Sequence, residues 1–206
     1  MEDFAVFRGV TFDPTDLQAL ISLEAASGVV RVYTAQDFDY VTDDEILLDG
    51  HGTRGLLLPQ LPVQEVTEVA LVDWDGTETA LTSDEWVLDD GGILYRGPDT
   101  GLSPAWSFPW WAGAKNVRIV YSHGYILPGE AEITDVPALP SELSLVTMQI
   151  ASRNLTQGTS GGQTVKAKSL GSYSVTYATD TLIVDERGIS ASERLVLDKY
   201  RVRSAI

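Results

Sequence analysis

Asp84-Glu85-Trp86-Val87-Leu88-Asp89-Asp90-Gly91-Gly92-Ile93-Leu94-Tyr95-Arg96 decides the fold class of this chain. Two short runs of strand-forming residues flank a run of two aspartates and two glycines, the composition of a tight reversal between antiparallel strands. The same pattern extends outward. Glu68-Val69-Ala70-Leu71-Val72 reads as a buried strand that runs to Asp75-Gly76, a strong two-residue hairpin signal. Val117, Ile119 and Tyr121 alternate in a last strand before the turn at His123-Gly124. Upstream, Val30, Val32 and Thr34 alternate with Arg31 and Tyr33, so the period of two is expected to begin near residue 29.

Helical signals flank this β-rich stretch. Asp13 is placed as an N-cap, with Pro14 in the first turn, Asp16 near the positive end of the helix dipole and Gly28 as the stop. Leu17, Leu20, Ile21 and Ala25 form the expected apolar stripe of this helix over 13–27. A second helix is expected from Pro140 to Leu155, where Leu139, Leu143, Val146 and Ile150 recur on one face. Thr156–Gln163 reads as a mobile loop, Tyr173, Val175 and Tyr177 as one more strand, and Ser190 with Glu193 as a capping box opening a helix to about Tyr200. The chain is therefore read as α+β, with no visible repeat. It divides into an N-terminal helical segment (1–28), a central antiparallel β-rich module (29–127), and C-terminal helices with a mobile loop and an extended strand or basic arm (128–206).

The 206 residues are 44% hydrophobic, the balance of a globular protein, and no apolar run approaches the roughly 18 residues of a membrane span. The opening Met1-Glu2-Asp3-Phe4 lacks a basic n-region, so no signal peptide is expected. The absence of cysteine removes disulfides, thiolate metal sites and cysteine nucleophiles together. Net charge is −16 and unevenly spread. Residues 1–50 carry 11 acids against 2 bases, residues 51–138 carry 13 against 4, and residues 139–206 carry 6 against 8. An acidic body argues against wrapping nucleic acid, which needs clustered Lys and Arg. The basic end, with Lys199, Arg201 and Arg203, suits docking on an acidic neighbour.

Two motifs mimic chemistry in the wrong context. Gly50-His51-Gly52-Thr53-Arg54-Gly55 has dinucleotide-loop spacing, but Pro59 and Pro62 forbid the helix whose N-terminus must hold the phosphates. Gly158-Thr159-Ser160-Gly161-Gly162 has nucleophile-elbow spacing. It follows a helix instead of a strand, and neither His51 nor His123 lies after the serine, as the hydrolase order requires. No pair among the 30 acids stands out as a glycosidase dyad, and the runs at 37–39 and 43–45 lack the spaced ligands of a calcium loop. No catalytic residue, metal or cofactor is expected. The most unusual patch is residues 104–111, where Trp106, Phe108, Trp110 and Trp111 crowd together. Burial over the β module and exposure as a contact for a partner protein or a sugar ring both remain open for it.

The order of segments resembles the head-to-tail connector (adaptor) proteins of long-tailed phages, particularly those of actinobacterial hosts. The stretches that carry the likeness include Leu57-Leu58-Pro59 before Val66-Thr67-Glu68-Val69, the 84–96 hairpin, and Trp110-Trp111-Ala112-Gly113 before Val117–Tyr125. Val136-Pro137-Ala138-Leu139-Pro140 opening a helix through Leu155, Lys168–Tyr177 and Glu193–Arg201 complete the set, which spans most of residues 55–203. That family begins with a longer helical region than the helix read here at 13–27. The resemblance implies a non-enzymatic virion protein at the head–tail junction, met in the host cytoplasm during assembly. It also implies a homo-oligomeric ring, commonly of twelve copies, between the portal and a tail-proximal protein, with DNA passing through unread. The alternative is a carbohydrate- or receptor-binding β module of a phage tail, resting on the Trp106–Trp111 patch. The candidate partner contacts are Trp106, Phe108, Trp110, Trp111, Lys199, Arg201 and Arg203.

Overall fold

The computed structural model describes residues 2–9, 11, 16–97, 108–159, 167–170, 173–176 and 184–202. The fold is α+β, with a central β module and C-terminal helices. Its contacts divide it into a helical unit, Met1–Ala35 with Pro140–Arg201, and a β unit formed mainly by Gln36–Leu139.

In the helical unit, α1 (Glu2–Arg8) precedes α2 (Leu17–Thr34). The helix α1 was not read from the sequence. Asp16 is the N-cap of α2, its carboxylate accepting from the amides of Gln18 and Ala19 at 3.1 and 3.2 Å. Asp13, expected in that role, and Pro14, expected in the first turn, lie outside the described residues. The helix does not stop at Gly28, and the strand expected from residue 29 is its last two turns, so the boundary expected at 28/29 falls inside α2. Nothing lies within 4 Å of where a Cβ at Gly28 would project, so packing does not demand glycine there. The turn beyond it is held by Val30, Tyr33 and Thr34, which continue the buried face, and Ala35 then closes the helix in the left-handed region at φ 55°.

That buried face is Ala19, Ser22, Ala26, Val30 and Tyr33, at spacings of three and four. The expected stripe points the other way, since Leu17, Leu20, Ile21 and Ala25 are all exposed. Small side chains let α2 approach α3 (Ser141–Thr159), whose Leu143, Val146, Ile150 and Ala151 are buried. The helix α3 runs past Leu155 into the expected loop. Arg8 ties its later turns down, donating to Ser152 Oγ at 2.7 Å and Thr156 Oγ1 at 3.2 Å. The final helix, α4 (Ala191–Leu197), opens on the predicted capping box of Ser190 and Glu193. It ends at Leu197, with Asp198 as C-cap, short of Tyr200. A two-stranded ladder, Ala167–Leu170 with Tyr173–Thr176, also belongs to this unit.

The β unit holds two antiparallel sheets. In one, β1 (Val41–Gly50), β7 (Gly113–His123), β3 (Val63–Val72) and β4 (Glu78–Ala80) lie in the order β1-β7-β3-β4. In the other, β2 (Gly55–Leu57), β6 (Ile93–Arg96) and β5 (Trp86–Leu88) lie in the order β2-β6-β5. Both hairpins read from sequence are present, β3–β4 around Asp75-Gly76 and β5–β6 around Asp89–Gly92. Alternation sets the core. Ile46, Ile119 and Val69 stand abreast on three strands, with Leu48, Val117 and Leu71 one rung along. Leu56, Leu58, Leu94 and Trp110 complete the buried cluster. The opposite face of the first sheet is polar, with Arg118 paired to both Glu68 and Glu78.

Gly124 joins the sheet to the following loop at φ +98°, and a Cβ there would sit 2.1 Å from the Asp39 carbonyl oxygen. Gly124→Ala should therefore cost about 2–3 kcal/mol, lowering Tm by about 5–10 °C in a thermal melt. An unchanged Tm would show that the Asp39 backbone yields freely.

Candidate interaction surfaces

The candidate contacts separate into three environments. Trp106 and Arg203 lie outside the described residues. Trp110 is core and not a contact: it is fully buried, and its Nε1 donates to the Leu94 carbonyl oxygen at 2.9 Å. Its neighbour Trp111 is 60% exposed, with the Arg96 guanidinium 5.0 Å above its ring. Phe108 is equally exposed, and its backbone amide bonds the Arg96 carbonyl. The backbone thus turns one aromatic inward and leaves two in water.

Sequence reasoning missed a further aromatic. Trp74 occupies the tip of the β3–β4 hairpin and is 98% exposed. Its turn is rigid: Asp73 N donates to Thr77 O, Gly76 N to Asp73 O, and Thr77 N to the Asp75 carboxylate. The Thr77 backbone amide holds that Asp75 carboxyl below its ordinary range. Trp74 and Trp111, with Asp73, Lys115 and Asn116, line an open groove of about 320 Å³. The signal was available in Asp73-Trp74-Asp75-Gly76, since a bulky aromatic beside Asp75-Gly76 at a hairpin tip has no core to enter.

At the basic end, Lys199 meets Glu142 at 3.2 Å, and Tyr200 donates to the same carboxylate. Those two hydrogen bonds, Tyr200 first, hold the Glu142 carboxyl below the ordinary glutamate range. The Arg201 guanidinium lies 5.7 Å from the Tyr33 ring centroid, and the Tyr33 hydroxyl donates to Asp198 at 2.7 Å. Burial and then the Asp198 hydrogen bond push the Tyr33 hydroxyl up. Two of the three basic candidates are thus docked on the chain's own helical unit.

The two motifs with catalytic spacing lie in different parts of the chain. After β1, residues 51–54 pass to β2 with no helix, and Gly52 N bonds the Trp110 carbonyl. Ser160 lies outside the described residues. His51 is exposed, while His123 is buried with Nε2 3.2 Å from Asp44. Among the described residues no cluster of His, Asp and Glu is placed to hold a metal ion, and no helix is long and apolar enough to cross a membrane.

No protein-family model matches the sequence, and no curated protein matches it significantly. Solved structures do. A chain from the neck of a native gene transfer agent particle, computed with C12 symmetry, superposes with a TM-score of 0.52 at 18% identity, over 93% of this chain and 85% of its own. A chain from the neck of the empty particle, computed with C6 symmetry, gives 0.52 at 19% identity over 98% and 90%. A chain from the virion of the native particle gives 0.50 at 19% identity over the same shares. Those chains share this fold. The likeness takes in both units, because it runs through nearly the whole of this chain.

Proposed function

We propose that this chain is a structural neck protein of a tailed-phage-like particle. Copies of it form a ring between the portal and the tail, and the genome passes through that ring. The observation that carries this reading is the fold match to neck chains over 93–98% of the sequence. The particles they come from were computed with C12 and C6 symmetry, which favours a cyclic homo-oligomer, twelve copies being the expected number. A virion location and a non-enzymatic role follow from the same reading. So do a portal on one side and a tail-proximal protein on the other, and the actinobacteriophage type belongs to this proposal too. The charge distribution agrees with a DNA conduit: Gln36–Leu139 carries 19 acids against 4 bases, so phosphates are repelled instead of held.

Electron microscopy of the purified chain mixed with its portal tests this. Rings or capped portals are expected; a chain that associates with neither itself nor the portal overturns the reading.

The groove between Trp74 and Trp111 favours a second reading, a sugar- or receptor-binding module, because paired exposed indoles suit the faces of sugar rings. Saturable glycan binding lost on Trp74→Ala, with no ring formation, would replace the first reading by the second. Trp110→Ala cannot serve there, since Trp110 lies in the core.

A further inference from the structure

We propose that the groove between Trp74 and Trp111 docks a basic segment of a partner protein, laying a lysine or arginine side chain on the Trp74 ring beside Asp73 and Asp75. The inference goes beyond the neck reading, because the site is built from one copy of the chain and does not depend on ring closure. Trp74 is 98% exposed, so both faces of its indole meet water. The turn that carries it is fixed by its own hydrogen bonds, so binding has only side chains to order. Of the aromatic side chains, an indole offers a cation the most attractive face.

The local charge has the matching sign. Asp73 and Lys115 line the groove, and Asp75 adjoins Trp74 in the turn. Asp49 stands beside Lys115, accepting from its backbone amide at 2.6 Å. Three carboxylates are thus set against one ammonium. The wider field agrees with them, since Gln36–Leu139 carries net −15 and draws a basic segment while repelling an acidic one. The second indole already shows this chemistry within the chain, where the Arg96 guanidinium lies 5.0 Å from the Trp111 ring centroid. Arg96 also interacts with the Glu85 carboxylate, which offsets its charge. Trp111 therefore has its cation, and Trp74 is the ring left to receive one. Between them Ala112, Gly113 and Ala114 make a low floor, and the groove holds about 320 Å³. That volume is at the small end of ligand pockets, which run from about 300 to 1,000 Å³. It suits the side chains of an extended segment and not a folded element.

Titration of the isolated chain with a hexalysine peptide at low salt tests this, with hexaglutamine as the neutral control. Saturable binding of hexalysine alone is expected. Trp74→Leu, which keeps the charge, should weaken it about two- to fivefold, and Trp74→Phe should fall between. Circular dichroism checks that the fold is kept. Asp73→Asn should also weaken binding, whereas Asp90→Asn, removing the same charge from the exposed β5–β6 turn, should not. Equal losses from the two aspartate variants, or none from Trp74→Leu, would mean diffuse attraction to an acidic surface and overturn the site. No binding of hexalysine would overturn it too. Saturable binding of neutral oligosaccharides, lost on Trp74→Leu, would give the groove to a sugar instead. Because the titration needs one copy only, absence of rings under the microscope would overturn the ring reading and leave this site standing.

Discussion

Trp110→Ala should cost about 3–5 kcal/mol of stability, the range for deleting a fully buried aromatic. The substitution empties the centre of the β-unit cluster and leaves the Leu94 carbonyl oxygen without its indole donor. Trp111→Ala, one residue along, should cost no more than about 1 kcal/mol, because its exposed ring loses only the contact with Arg96. Urea unfolding of the two variants side by side reads the contrast. Equal losses would mean that Trp110 does not hold the two sheets together.

Glu193→Ala should be the next most damaging change. Glu193 is 3% exposed and receives two hydrogen bonds from Arg153, at 2.6 and 2.8 Å, and one from the Ser190 amide at 2.8 Å. Removing the carboxylate undoes the capping box and strips Arg153 of its counter-ion, a loss of about 3–5 kcal/mol for a pair broken on one side. The effect depends on pH with a definite sign. Burial pushes the Glu193 carboxyl up, but the Arg153 and Ser190 hydrogen bonds more than reverse this and hold it below the ordinary glutamate range. A carboxyl whose folded pKa is depressed stabilises fully above its unfolded pKa and loses that contribution as pH falls through the folded value. The gap between wild type and Glu193→Ala should therefore be largest near neutrality and shrink below about pH 4. Denaturant midpoints at the two pH values measure it. A gap that widened in acid would reverse the assignment.

What was legible in the sequence was the local chemistry. Asp75-Gly76 and Asp89–Gly92 marked real turns because turn geometry depends on the residues within the turn. Ser190 and Glu193 marked a helix start for the same reason. The misreadings came where a distant partner decides. In α2 the bulky residues suggested the buried face, but close packing on α3 selected the small ones, Ala19, Ser22 and Ala26. Gly28 resembled a terminator, yet its fate depended on Val30 and Tyr33 finding partners beyond it. Trp110 and Trp111 are chemically identical neighbours, and the direction in which the backbone presents each ring, inward to the β-unit cluster or outward to water, separates the one that is core. Of the candidate surfaces, the basic end was visible as composition. The exposure of Leu17, Leu20, Ile21 and Val32 on α2 appeared only once the packing was known.

The helical unit is drawn from both ends of the chain, with the β unit inserted between its halves, and this bears on the order in which the molecule is built. During synthesis α2 leaves the ribosome long before α3, its packing partner. Joining them across a slack segment of roughly 100 residues would carry a closure entropy on the order of 4 kcal/mol. The β unit removes that slack. Asp39 bridges to Tyr125 and Ile126 bridges to Ala138, so its first and last residues are gathered together when it folds. Gln36–Leu139, contiguous in sequence, is thus expected to fold first and to bring the start of α3 back toward the end of α2. Damage to its centre would then be felt twice, once in the sheets and again in helices that contain none of the damaged residues.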